Sequence, residues 1–237
     1  MEKVVAALWA QAGERRAEFG ARLVRNLPGA LAQVGAQAIR INVRDAAVEP
    51  ADALVQQWQA PQQDAVVQFW MPSANARFRG PVDAVLAEAS SRFHAWLVCE
   101  STIIANTTHV ITQGRLTGGW SQASFISFRP DLTREAAIAH WHSHHTRVAI
   151  ETQANFEYVQ NLIVRPLTED APTYDAFVEE CFPAEAMTVP EAFFDAEGDP
   201  AKFAANTAAM MESCAGFIDF SRIDIIPTTQ FDFAAKA

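Results

Sequence analysis

Four histidines fall within six residues, at His140, His142, His144 and His145, inside the run Arg134-Glu135-Ala136-Ala137-Ile138-Ala139-His140-Trp141-His142-Ser143-His144-His145-Thr146-Arg147-Val148-Ala149. Imidazole titrates near neutrality, so a histidine held beside a substrate can both take and return a proton. At about 100° per residue, Ala137, Ile138, Trp141, His145 and Val148 share one apolar helix face, and His142 points away from it. His140 and His144 stand at the edge of that face with the i, i+4 spacing that can bring two imidazoles to one ion. No Glu adjoins the first of them and no third ligand is evident, so a functional metal is not expected there. A histidine on an apolar face is ordinarily a core residue satisfied by a neighbour, and Trp141 on the same face is expected to pack rather than to stack on a ligand.

The elements that hold this helix come from a chain of 237 residues, half of them hydrophobic, with 10% aromatic and 19% charged side chains. Such a composition excludes disorder, and no apolar run approaches the roughly 18 residues of a spanning helix. Three cysteines without a C-x-x-C pair speak against a disulfide framework or a thiolate zinc site, and predict reduced thiols and a cytoplasmic location. Eighteen Lys and Arg against 28 Asp and Glu leave a net charge of −10, which disfavours nucleic acid and anionic membranes as partners. The N-terminal apolar stretch is short, and Glu2 opposes a positive leader segment. It is therefore read as a first strand rather than a signal peptide.

Residues 4–9 predict a buried strand and 14–33 a helix that Pro28-Gly29 should break near its end. Residues 36–43 and 64–71 predict strands separated by the polar, irregular stretch 45–63. A helix is expected over 82–99 with Pro81 at its start, placing His94 on a helix, and a β-branched strand over 107–113, which would carry His109. After Leu116-Thr117-Gly118-Gly119-Trp120 the order repeats: a strand at 123–128, a helix capped by Thr133 and running to 152, and strands at 156–164 and 174–182. The helix opened by Asp199-Pro200 and stopped by Gly216 follows, then a strand at 222–226 with Phe231-Asp232-Phe233 trailing. The chain is thus predicted to be α+β, two tandem ferredoxin-like βαββαβ units over 1–118 and 119–237. Each unit leaves one sheet face bare, so the two should cover each other and enclose a barrel-like interior suited to a ligand.

Trp141 to His145, followed by Val148-Ala149 and by Tyr158-Val159-Gln160-Asn161 on the next strand, resembles the EthD family, whose helix reads W-x-x-x-H and whose strand reads Y-V-Q-N-H. The family's last histidine is Leu162 here, which removes one acid/base or ligand group. The resemblance spans about residues 120–233. It implies a dimeric α+β barrel in which residues 1–118, where the place of His145 falls near Val24 or Arg25, stand in for a second subunit. Of two pseudo-equivalent cavities only the second would then keep its histidine.

The resemblance further implies chemistry on small hydrophobic or aromatic compounds. The leading expectation is a cofactor-independent lyase or isomerase acting on an aromatic or polyketide-like compound in an apolar cavity. His145 would be the general acid/base with Tyr158 beside it, and Trp141, Gln160 and Asn161 would bind substrate or donate to a developing oxyanion. Period-2 alternation separates Tyr158 and Gln160 from Asn161, so these three cannot all line one cavity. Cofactor-free oxygenation is a neighbouring reaction. The alternatives are a non-catalytic binder of a hydrophobic metabolite and a haem oxidoreductase with His145 or His144 as axial ligand. His140 and His144 remain weak candidates for a metal. A monomer or a homodimer is expected.

Overall fold

A computed structural model describes residues 1–109, 111–112, 115–116 and 118–233. The first unit runs β1 (Glu2–Trp9), α1 (Arg16–Gln33), β2 (Gln37–Val43), β3 (Ala65–Met71), α2 (Ala76–Ala89) and β4 (Arg92–Ile104). Two-residue strands β5 (Ile111–Thr112) and β6 (Arg115–Leu116) lead into the second unit, which begins with β7 (Gly119–Phe128). There α3 (Arg134–His140) and α4 (Thr146–Thr152) are one helix interrupted by a π-helical turn at Trp141–His145. The chain continues with β8 (Glu157–Pro166), β9 (Ala176–Pro183), the short α5 (Pro190–Phe193), α6 (Pro200–Ala215) and β10 (Ile218–Asp232). No helix among the described residues is long and apolar enough to cross a membrane.

Both four-stranded units have the same spatial order, β2-β3-β1-β4 and β8-β9-β7-β10. They are joined through β4 to β8 at one seam, with Glu100 opposite Asn161, and through β10 to β2 at the other, with Asp232 opposite Arg40. All these pairings are antiparallel, and the second seam closes an eight-stranded barrel. Closure leaves none of the eight strands as an open edge.

Alternation along each strand divides its side chains between helices and interior. On β1, Val4, Ala6 and Leu8 join Phe19, Leu23 and Leu27 of α1 and Val82 and Leu86 of α2 in one outer core. Trp141, Val148, Tyr158, Val178, Met210 and Phe217 form the corresponding core of the second unit. The other face of β1 carries Val5, Ala7 and Trp9 into the barrel, where they meet Trp96, Val98, Phe125, Ile163, Tyr174, Phe177 and Ile226. Burial of this apolar plug, at about 25 cal/mol per Å², adds to the two hydrogen-bonded seams in holding the sheets together.

Several sequence expectations shift. The helix expected over 82–99 is α2 followed by the first half of β4; Phe93, Leu97 and Val98 alternate there as strand residues, and His94 lies on a strand. The Asn75 side chain caps α2 by accepting from the Arg77 amide, so Pro81 falls within the helix rather than at its start. The strand expected over 107–113 is not the fourth strand of the first unit, a place taken by β4. Residues 110 and 113 of that stretch lie outside the described residues, and His109 precedes β5. Helix α1 continues through Pro28, and the stretch 45–63 contains a 3-10 helix at Ala46–Leu54. Strand β10 extends into the expected trailing residues, as far as Asp232, and that extension closes the barrel. Thr133 and Asp199 cap their helices as expected.

Candidate active site

Between the plug and one mouth the interior turns polar. Lys3 of β1, Arg40 and Asn42 of β2, Gln68 of β3, Glu100 of β4, Ser121 of β7, Glu157 and Asn161 of β8, Glu179 of β9, and Thr228, Gln230 and Asp232 of β10 all occupy interior positions of their strands. Above them opens a cavity of about 570 Å³ whose walls include Lys3, Arg40, Gln68, Glu100, Glu157 and Asp232 together with Trp70, Val159 and Phe233. The expected apolar cavity with a single histidine is therefore a charged one at the end of the barrel.

Glu179, fully buried, organises the floor. It accepts hydrogen bonds from Arg40 Nη1 at 2.9 Å, Asn42 Nδ2 at 2.6 Å, Gln68 Nε2 at 2.8 Å, Ser121 Oγ at 3.0 Å and Gln230 Nε2 at 2.9 Å. Burial alone would raise its pKa. The charge of Arg40 and the donors from Gln230, Arg40 and Gln68 overcome that penalty and hold it below the usual carboxylate range. Arg40 also makes a two-point contact with Asp232, at 2.7 and 3.0 Å, and reaches Glu157 at 2.7 Å. A guanidinium so shared is a fixed structural cation.

Lys3 joins that cluster through Gln68. Its ammonium, 4% exposed, donates to Glu100 Oε2 at 2.6 Å and to Gln68 Oε1 at 2.8 Å. Burial lowers its pKa, and the neighbouring Glu100 only partly restores it. An amine and a carboxylate in contact at a cavity wall form a donor and an acceptor that can exchange a proton with a bound molecule. Across from Glu100 on β8 the Asn161 amide is fully buried, and neither its Nδ2 nor its Oδ1 has a hydrogen-bond partner among the described residues.

The residues singled out in the sequence divide between the two sides of the wall. Asn161 faces the interior but, fully buried, is not among the residues lining the cavity. Tyr158 and Gln160 face the helices, as alternation requires, and are enclosed there: the Tyr158 hydroxyl accepts from Trp141 Nε1 at 3.2 Å and Gln160 Nε2 at 2.8 Å, and Gln160 also donates to Thr146 Oγ1 at 2.9 Å. Burial raises the Tyr158 pKa beyond any physiological range. Trp141 is a core residue. His145, 8% exposed, lies on the same outer side with Nδ1 3.0 Å from Ser213 Oγ and its ring against Phe217. Burial, then the charges of His140 and His144, bring its pKa down to about 4, so it is neutral at pH 7. It is not among the residues lining the barrel-mouth cavity.

As folded, Ser213 and Phe217 enclose the His145 ring, so haem ligation there would require the helices to part. His144 is exposed, and His140 Nε2 donates to the Ser213 carbonyl at 3.0 Å. Among the described residues no group of three or more His, Cys, Asp or Glu is placed to hold a metal ion.

Sequence reasoning missed Lys3, Arg40, Glu100, Glu157 and Glu179. A signal was present: each is a charged residue on a strand otherwise rich in apolar residues, as in Glu2–Trp9 (EKVVAALW) and Ala176–Pro183 (AFVEECFP). Charges at such positions are rarely buried unless paired.

Comparison with known proteins agrees with this architecture. Residues 129–221 match the model of the EthD domain. Among solved structures, an anthrone oxidase-like protein aligns over 100% of this chain and 96% of its own, with a TM-score of 0.58 and 8% identity. A proposed monooxygenase from Lactobacillus acidophilus NCFM aligns over 99% of each chain, with a TM-score of 0.48 and 9% identity. At 8% identity the likeness to the anthrone oxidase-like protein is one of fold. No curated protein matches.

Proposed function

We propose that this chain is a cofactor-independent enzyme that moves protons on a small aromatic or polyketide-like ketone bound at the barrel mouth, an isomerase or lyase by reaction type. The observation that carries this reading is the Lys3–Glu100 pair, 2.6 Å apart, on the wall of a 570 Å³ cavity. Trp70, Val159 and Phe233 supply apolar surface for the ring system. The Glu100 carboxylate takes a proton from the carbon beside the carbonyl. Lys3 donates a hydrogen bond to the developing enolate oxygen, where a positive charge in a water-poor site is most effective. Return of the proton from Glu100 to a different carbon completes an isomerisation, and loss of a leaving group from the enolate completes an elimination.

The anthrone oxidase-like neighbour supports the substrate class, since an anthrone is an aryl ketone with an acidic C–H. It also favours a second reading, in which the enolate formed in this way is oxidised by dioxygen. Cys99, Cys181 and Cys214 are unpaired thiols, which supports placing the reaction in the reducing cytoplasm.

The test is deuterium incorporation from D2O into a panel of aryl ketones, followed by proton NMR, with an oxygen electrode alongside. The wild-type chain should accelerate exchange. Lys3→Met and Glu100→Gln should each slow it about 100-fold or more, the usual scale for loss of a general acid or base. Oxygen consumption accompanying exchange selects the second reading. Exchange unaffected by both substitutions would contradict the assignment.

A further inference from the structure

The apolar plug separates the polar mouth from the opposite end of the barrel, where a second cavity of about 350 Å³ opens between β1, β4 and the loop after β8. Its walls include Trp9, Gln59, Arg92, Phe93, His94 and Asp170. His94 is 8% exposed, and its Nδ1 has no hydrogen-bond partner among the described residues. A buried ring nitrogen left unpaired is destabilising, so a side chain kept there needs a compensating role. The ring is held edge-on to Trp9, with centroids 5.1 Å apart at 82°, and is tilted against Trp96 at 6.4 Å. It is thus fixed in orientation without being satisfied. Burial, then the charge of Arg92, lower its pKa, while Asp170 acts in the opposite sense.

Arg92 lies with its guanidinium 3.9 Å from the centroid of the Trp9 ring, and its side chain is exposed. Arg92 and Trp9 both line the cavity, where a second aromatic ring can stack on the planar cation. Glu169 and Asp170, both exposed at the rim, outnumber Arg92 and disfavour an anion. A neutral imidazole nitrogen donates or accepts according to tautomer, and a hydroxyl is the group that can answer either.

We propose that this cavity is a second small-molecule site, separate from the barrel mouth, that takes neutral phenols, with the ring against the Arg92 guanidinium and the hydroxyl on the His94 imidazole. The test uses phenol itself, titrated into the full chain and followed by tryptophan fluorescence and by NMR of the histidine ring signals. Saturable binding with Kd near or below about 1 mM is expected. His94→Leu should weaken it at least tenfold, and Arg92→Ala, a surface change that leaves the fold intact should His94→Leu not fold, several-fold. Lys3→Met, at the other end, should leave it unchanged. Absence of saturable binding up to about 10 mM, or binding indifferent to both His94→Leu and Arg92→Ala, would overturn the proposal, as would loss of binding in Lys3→Met alone.

Discussion

On β8, Tyr158 and Gln160 face the helices while Glu157 and Asn161 face the barrel interior, and the two sides treat polarity differently. Outside, the Tyr158 hydroxyl, the Trp141 indole, the Gln160 amide and the Thr146 hydroxyl bond to one another in a closed set under a fully packed helix. Inside, charges are concentrated at a mouth with room for a ligand, and the Asn161 amide remains unpaired. A buried polar network that is complete rigidifies a fold, whereas one that is charged, adjacent to a void and incomplete has capacity left for a guest. Motif and chemistry thus part company across the thickness of one sheet: the family-like residues mostly hold the helix on, and the unremarked charges line the cavity.

The comparison breaks most readily at Glu179. Replacing it by Leu leaves Arg40, Asn42 and Gln68 without their shared acceptor, and losing one partner of a buried ion pair costs about 3–5 kcal/mol. Chemical denaturation should show that loss. Because the folded pKa of Glu179 is depressed, its contribution is present above the ordinary carboxylate range and is lost as pH falls through the folded value. Wild-type stability should accordingly decline in acid more steeply than that of Glu179→Leu.

Tyr158→Phe sharpens the other side. It strips an acceptor from two buried donors, Trp141 Nε1 and Gln160 Nε2, at about 1–3 kcal/mol, and should lower Tm without slowing deuterium exchange. A pH-dependent effect comes from His145. With its folded pKa about 4 against an ordinary 6.5, the unfolded chain takes up a proton first as pH falls. Stability should therefore drop by roughly 1.4 kcal/mol per pH unit below 6.5 and level off near 4. His145→Phe should flatten that slope.

Much of this architecture was legible in the sequence because it rests on local signals. Thr133 and Asp199 announce their helices by side-chain capping, and the repeated element order implies two sheets that must cover each other. What escaped was long-range. Residues 92–99 have apolar spacing that suits either a helix or a buried strand, and only pairing of β4 with β1 and β8 decides it. Lys3, Glu100 and Glu179 are far apart in sequence, so no local spacing could bring them together. The barrel does so by register. The histidine cluster is conspicuous in the sequence because it is local, while the burial of His145 against Ser213 of α6 depends on a helix nearly seventy residues away.

The most direct test of the central claim is the rate of deuterium exchange into an aryl ketone measured in parallel for Lys3→Met and His145→Phe, each confirmed folded by its thermal transition. If the barrel mouth is the reaction site, Lys3→Met loses about 100-fold or more while His145→Phe stays near the wild-type rate. The reverse result, exchange abolished by His145→Phe and preserved in Lys3→Met, would contradict the account and place the chemistry between helix and sheet.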